Sequence, residues 1–185
     1  MAVLDIVIVP DDVLHTKAKV VTDFGPELQQ LIDDMVDTMR DAPGVGLAGP
    51  QVNVLKRVIV VEFGDEEDDE VPPSLYALVN PEISKMSKET VYGMEGCLSI
   101  PELLGDVERA ESVTIKAQDR YGKVIKLKAS GWLARIFQHE IDHTNGILFT
   151  DRTDRVYRLE DILAAEEEAE QAGAVDESPG PPLSV

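Results

Sequence analysis

Cysteine and tryptophan each occur once in this 185-residue sequence, histidine occurs three times, and basic residues are outnumbered by acids, 17 to 36. The lone Cys97 can form no intrachain disulfide, so a reducing compartment is expected. The formal charge of -19 argues against direct nucleic-acid binding, because gripping a phosphate backbone needs a cationic surface that releases counterions. No apolar run approaches the ~18 residues needed to cross a bilayer, so no membrane association is expected. The apolar start, MAVLDIVIVPDD, is short, is broken by Asp5 and has no basic region before it. It reads as a first strand over residues 4–9 and not as a signal peptide. A cytoplasmic protein with one core is the working class, since 185 residues at 43% hydrophobic content suit one domain and not two.

Helical and strand signals are mixed along the chain. From Pro26 to about Met39, the residues Leu28, Leu31, Ile32, Met35 and Met39 recur at helical spacing, and the pattern stops at Ala42-Pro43-Gly44. GVGLAGPQ (44–51) is too glycine-rich for regular structure, whereas RVIVVEF (57–63) and SLYALVNP (74–81) read as strands. SVTIKAQDRYGKVIKLKAS (112–130) alternates on both sides of DRYG, as a hairpin does. A helix is expected from Ser130 to Asn145-Gly146, and another from about Val156 to Ala172. The acid- and proline-rich stretch 64–73 reads as a solvated loop, and residues 173–185 have the composition of a disordered tail. The expected organisation is a single catalytic domain over 1–172 followed by that tail.

The helix from Ser130 carries HEIDH. His139 and His143 are four residues apart, so they project from one helix face and can reach one metal ion. Glu140 stands where its carboxylate can reach a water on that ion without being a ligand. The bland alternative, two histidines capped by backbone carbonyls, is weakened by the apolar Leu133, Ile136, Phe137 and Ile141 around them, because polar groups on a buried helix need partners. Two histidines do not make a tight site. The protease extension HExxHxxGxxH keeps Gly146 but has Phe149 in place of the last histidine, so the third ligand comes from elsewhere: His15, Cys97 or Glu160. Cys97 is preferred, because its glycine-framed segment YGMEGCLSIP belongs to the irregular regions where functional residues concentrate.

GVGLAGPQ, EGCLS (95–99) and QHEIDH (138–143) occur in this order, and together they resemble the three signature motifs of peptide deformylases. The resemblance covers roughly residues 1 to 160. It implies an α+β fold with mixed, mostly antiparallel β-sheets around a central helix carrying HEIDH, flanked by an N-terminal and a C-terminal helix. It implies one divalent ion held by Cys97, His139 and His143, with Fe(II) expected and Ni(II), Co(II) or Zn(II) accepted. The implied reaction removes the formyl group from N-formylmethionyl peptides and nascent chains of a bacterial cytoplasm. Glu140 would be the general base, and the Gln51 amide with the Leu98 backbone N–H would face the oxyanion. Val45, Gly46, Trp132 and Ile136 would bind the methionyl residue, although ordinary core packing explains Trp132 and Ile136 equally well. Glu95 would order the site, with Arg109 as its natural partner.

The chain departs from the family at Gly49, at Thr144, and at Leu103 and Leu104, which stand in a region where some members carry an arginine. Some members dock on the ribosome through a basic C-terminal helix. Here that helix is acidic, so no more than transient ribosome contact is expected.

Overall fold

In a computed structural model of the chain, residues 2–64 and 73–171 are described. Positions 65–72 of the expected acidic loop and the expected tail over 173–185 lie outside them.

Helix α1, Pro26–Asp41, starts with proline in its first turn and buries Leu28, Ile32, Met35, Val36 and Met39, the stripe its periodicity sets. Eight strands follow among the described residues: β1 Gly46–Ala48, β2 Val58–Phe63, β3 Ser74–Met86, β4 Thr90–Cys97, β5 Ile100–Ala110, β6 Ser112–Gln118, β7 Val124–Ser130 and β8 Val156–Arg158. One sheet has the order β1-β2-β3-β6-β7 and a second β4-β5-β8. Every pairing between these strands is antiparallel. The α+β expectation therefore stands.

Helix α2, Gly131–Thr144, packs against both sheets, and every residue from Ala134 to Thr144 is buried. Ile136 and Phe137 are wholly enclosed with Ile59, Val61, Leu78 and Ile115, and Phe137 meets Tyr76 edge-on at 5.4 Å. Each such side chain contributes about 1.5–3 kcal/mol by leaving water. The helix ends at Thr144, two residues before Gly146, which has φ +74° and where a side chain would strike the His15 carbonyl.

Four local expectations are corrected, and one is that the glycine-rich stretch 44–51 lacks regular structure, since Gly46–Ala48 pair with β2 and Gly49–Val52 form a 3-10 turn. Residues 4–9 join neither sheet, and Val9 already lies in a turn: the Val7 N–H donates to the Gln51 carbonyl (2.8 Å) and the Val9 N–H to the Ser99 carbonyl (3.0 Å). Alternating apolar residues mark an extended chain, not what it pairs with. The segment around Cys97 is not irregular but the end of β4, in a hairpin whose two-residue turn is Leu98-Ser99. The last helix, α3 (Leu159–Gln171), begins three residues after Val156, because Val156–Arg158 pair with β5 first.

Candidate metal centre

Helix α2 presents His139 and His143 one turn apart, and the β4–β5 turn brings Cys97 up to them. The Cys97 Sγ lies 3.3 Å from His143 Nε2, which lies 3.2 Å from His139 Nε2. All three donor atoms are buried within 4.8 Å of one another. Donors sharing one ion at metal–nitrogen distances of about 2.0–2.1 Å and metal–sulfur of about 2.3 Å stand roughly 3.3–3.6 Å apart, so the spacing fits a common ion. His15 and Glu160 are elsewhere: His15 is half exposed beside Asp151, and Glu160 is exposed beside Arg158.

The chemistry of the cluster asks for positive charge. Burial opposes an imidazolium at His139, yet Cys97 and Glu95 hold its proton up to about 10. Burial, with His139 and Arg109 nearby, pushes His143 well below the ordinary imidazole value, leaving it a neutral lone-pair donor. A divalent ion on the same atoms supplies the charge that the proton otherwise carries. Softness agrees, since a thiolate with two imidazoles suits Fe(II), Ni(II), Co(II) or Zn(II).

Glu95 fixes the orientation of His139. Its Oε2 lies 2.9 Å from His139 Nδ1. Because a carboxylate only accepts, Nδ1 carries the proton and Nε2 faces Cys97 and His143. Burial would raise the Glu95 carboxyl, but hydrogen bonds from His139 and Arg109 outweigh it and hold the group well below the usual carboxylate range. Arg109 grips both Glu95 oxygens at 2.9 Å, and Arg135 adds a bond of 2.8 Å. The Glu95–Arg109 pair is thus buried and not on the surface. Phe149, standing where a protease would have its third histidine, stacks on His139 with ring centroids 6.3 Å apart.

Glu140 is wholly buried, and neither carboxylate oxygen has a hydrogen-bond partner among the described residues. Burial pushes its carboxyl up to about 7, against the pull of His139. Such a group is poised to exchange a proton near neutrality. Gln51 lies in the 3-10 turn Gly49–Val52, where the Ala48 N–H donates to its Oε1 (2.8 Å). Its amide nitrogen therefore points the other way, 3.5 Å from Cys97 Sγ.

The remaining expected residues divide. Gly46 abuts Glu140, and Val45 packs on the apolar cluster that contains Ile136. Leu98 follows Cys97 in the turn. Trp132 stands apart from the three donors, its ring 5.4 Å from the Arg135 guanidinium, in a cavity of about 160 Å3 shared with Val91, Tyr92, Gly93 and Glu111. Sequence reasoning passed over Arg135, Asp142 and Arg152. The available signal was an arginine four residues before His139 on a helix otherwise apolar in its middle.

Residues 3–158 match the family model for polypeptide deformylase. The chain belongs to that family. It is 50% identical to a peptide deformylase of Symbiobacterium thermophilum over 96% of this chain and 79% of that protein. It is 49% identical to peptide deformylase 1 of Bacillus subtilis over 89% of this chain and 98% of that protein. The peptide deformylase structure from Thermotoga maritima superposes with a TM-score of 0.77 at 38% identity, covering 83% of this chain and 99% of that one. A class I type b peptide deformylase from Acinetobacter baumannii, solved with Met-Ala-Ser bound, superposes with a TM-score of 0.76 at 41% identity, covering 82% and 99%. Peptide deformylases are metal-dependent hydrolases that remove the formyl group from N-formylmethionyl peptides, and this chain is one of them. Among the described residues no helix is long and apolar enough to cross a membrane.

Proposed function

We propose that the chain carries out deformylation at the pocket where Cys97, His139 and His143 converge, with these three as ligands of one divalent ion, Fe(II) in the cell. The observation that carries the assignment is the buried, partnerless Glu140 carboxylate beside three clustered donors. A carboxylate kept without hydrogen bonds in such a place costs stability unless it has work to do. When bound, the ion supplies Lewis acidity that acidifies a water and polarises the formyl oxygen.

Glu140 takes a proton from that water as the water oxygen bonds to the formyl carbon. The carbonyl oxygen gains negative charge, and the Gln51 amide, aimed by Ala48, donates to it together with the Leu98 backbone N–H. Glu140 then delivers its proton to the amide nitrogen as the carbon–nitrogen bond breaks, leaving a free methionyl amine and formic acid, which ionises to formate by giving its remaining proton to the amine or to solvent. Glu95, braced by Arg109, keeps Nε2 of His139 directed at the ligand position throughout. Val45 and Ile136 are taken as the apolar wall for the methionine side chain, with Trp132 and the Gly46 backbone as further contacts to the methionyl residue. The catalytic unit is taken as residues 1–172, working in the cytoplasm where nascent chains emerge, with only transient ribosome contact. The exposed start of α3, with Glu160 and Asp161, offers ribosomal RNA no positive charge.

A formyl-Met tripeptide and an unformylated peptide of greater length, incubated side by side, test the reaction. Formate from the first and no cleavage of the second is the expected pattern. Internal cleavage of the longer peptide would instead assign the site to a protease.

A further inference from the structure

A chain of ion pairs leads from the protein surface to the metal-site histidine. Arg152, in the turn after Phe149–Asp151, donates through Nη2 to Asp142 Oδ1 (2.6 Å) and through Nε to Asp142 Oδ2 (3.0 Å). Arg109 Nη1 donates to that same Oδ2. The two other nitrogens of Arg109 grip Glu95, which holds His139 Nδ1. Asp142, Arg109, Glu95 and His139 are buried, whereas the Arg152 side chain is 44% exposed. Arg109 is thus shared between two carboxylates, and its placement against Glu95 depends on where Asp142 sits.

We infer that Arg152 is a positioning residue for the metal site, acting through Asp142, Arg109 and Glu95 on His139. This rests on the reading of Cys97, His139 and His143 as ligands. Without Arg152, both Asp142 oxygens lose their outer partner, and Asp142 can draw Arg109 toward itself and away from Glu95. The bidentate Arg109–Glu95 grip loosens, and the imidazole that Glu95 orients gains freedom. Partners one step removed from a metal ligand typically set affinity by about 10–100-fold. Arg152 is three ion pairs further out than Glu95, so an effect near the lower end is expected.

The test is the rate at which a chelator strips Co(II) from the loaded protein, followed by the Co(II) absorption spectrum, in wild type, Arg152→Ala, Arg152→Lys and Arg155→Ala. Arg155 is a control: it lies in the same segment and carries the same charge, but pairs with Asp106 and stacks on Tyr92, off the chain of ion pairs. Arg152→Ala should release metal about tenfold faster with an altered spectrum, Arg152→Lys should restore part of the loss, and Arg155→Ala should match wild type. In a Glu95→Gln background, Arg152→Ala should add little, because the path to His139 is already cut; a purely structural role would add in full. Release from Arg152→Ala within twofold of wild type overturns the inference. If wild type itself retains no Co(II), the ligand assignment fails instead.

Discussion

A methyl group on Gly46 would lie 2.8 Å from Cδ of Glu140, so β1 and α2 leave room there for hydrogen alone. Gly46→Ala must therefore push the carboxylate aside. Misplacing a reacting group by about 1 Å can cost a hundredfold in rate. Gly46→Ala should lower kcat about a hundredfold while keeping its metal, checked by formate release alongside metal analysis. Unchanged kcat would show that Glu140 tolerates displacement and is not the base.

Glu140 also sets a pH expectation. Burial pushes it up to about 7, and a divalent cation beside it favours the carboxylate and draws it back down. The base works deprotonated, so kcat/KM should fall tenfold per unit on the acid side of a midpoint between about 4.3, the unperturbed glutamate value, and 7. A profile flat down to pH 4.5 would contradict this role.

Glu95 has the opposite shift. Its folded-state pKa lies below the unfolded value, so its stabilisation is fully present above about pH 4.3 and is lost as pH falls toward the folded value. Glu95→Gln leaves Arg109 and Arg135 facing a neutral group and should destabilise by about 3–5 kcal/mol at pH 7. Urea unfolding of metal-free protein should show that gap at pH 7 and a narrower one at pH 3.

Much of this was legible in the sequence and some was not. HEIDH could be placed on a buried helix because its apolar neighbours keep the 3.6 period, and Cys97 could be preferred over His15 and Glu160, although the irregular segment that argued for it is in fact the end of β4. The β4–β5 hairpin was hidden because its pattern is broken by Gly93 and Gly105. Each is needed where another side chain comes close: Arg135 against Gly93 and Phe149 against Gly105. Arg152 was hidden for a different reason. Ion pairs to Asp142 from beyond the helix follow from tertiary approach, which local periodicity does not encode.

The N-terminal segment also escaped its sequence reading, with a consequence for the oxyanion donors. Val7 and Val9 tether the backbone at Gln51 and at Ser99, beside Leu98. Val7→Pro removes one tether by deleting its N–H. It should lower kcat about tenfold with KM and metal content little changed. A change confined to KM would place the segment in substrate binding instead.

If Glu140 is the base beside an ion held by Cys97, His139 and His143, removing its carboxylate should abolish the reaction and spare the ion. Wild type and Glu140→Ala, purified anaerobically, can be compared for bound metal and for formate released from a formyl-Met peptide. Both proteins should hold equal metal, and the variant should lose formate release by at least a thousandfold. A Glu140→Ala protein that deformylates at the wild-type rate would contradict that role for Glu140.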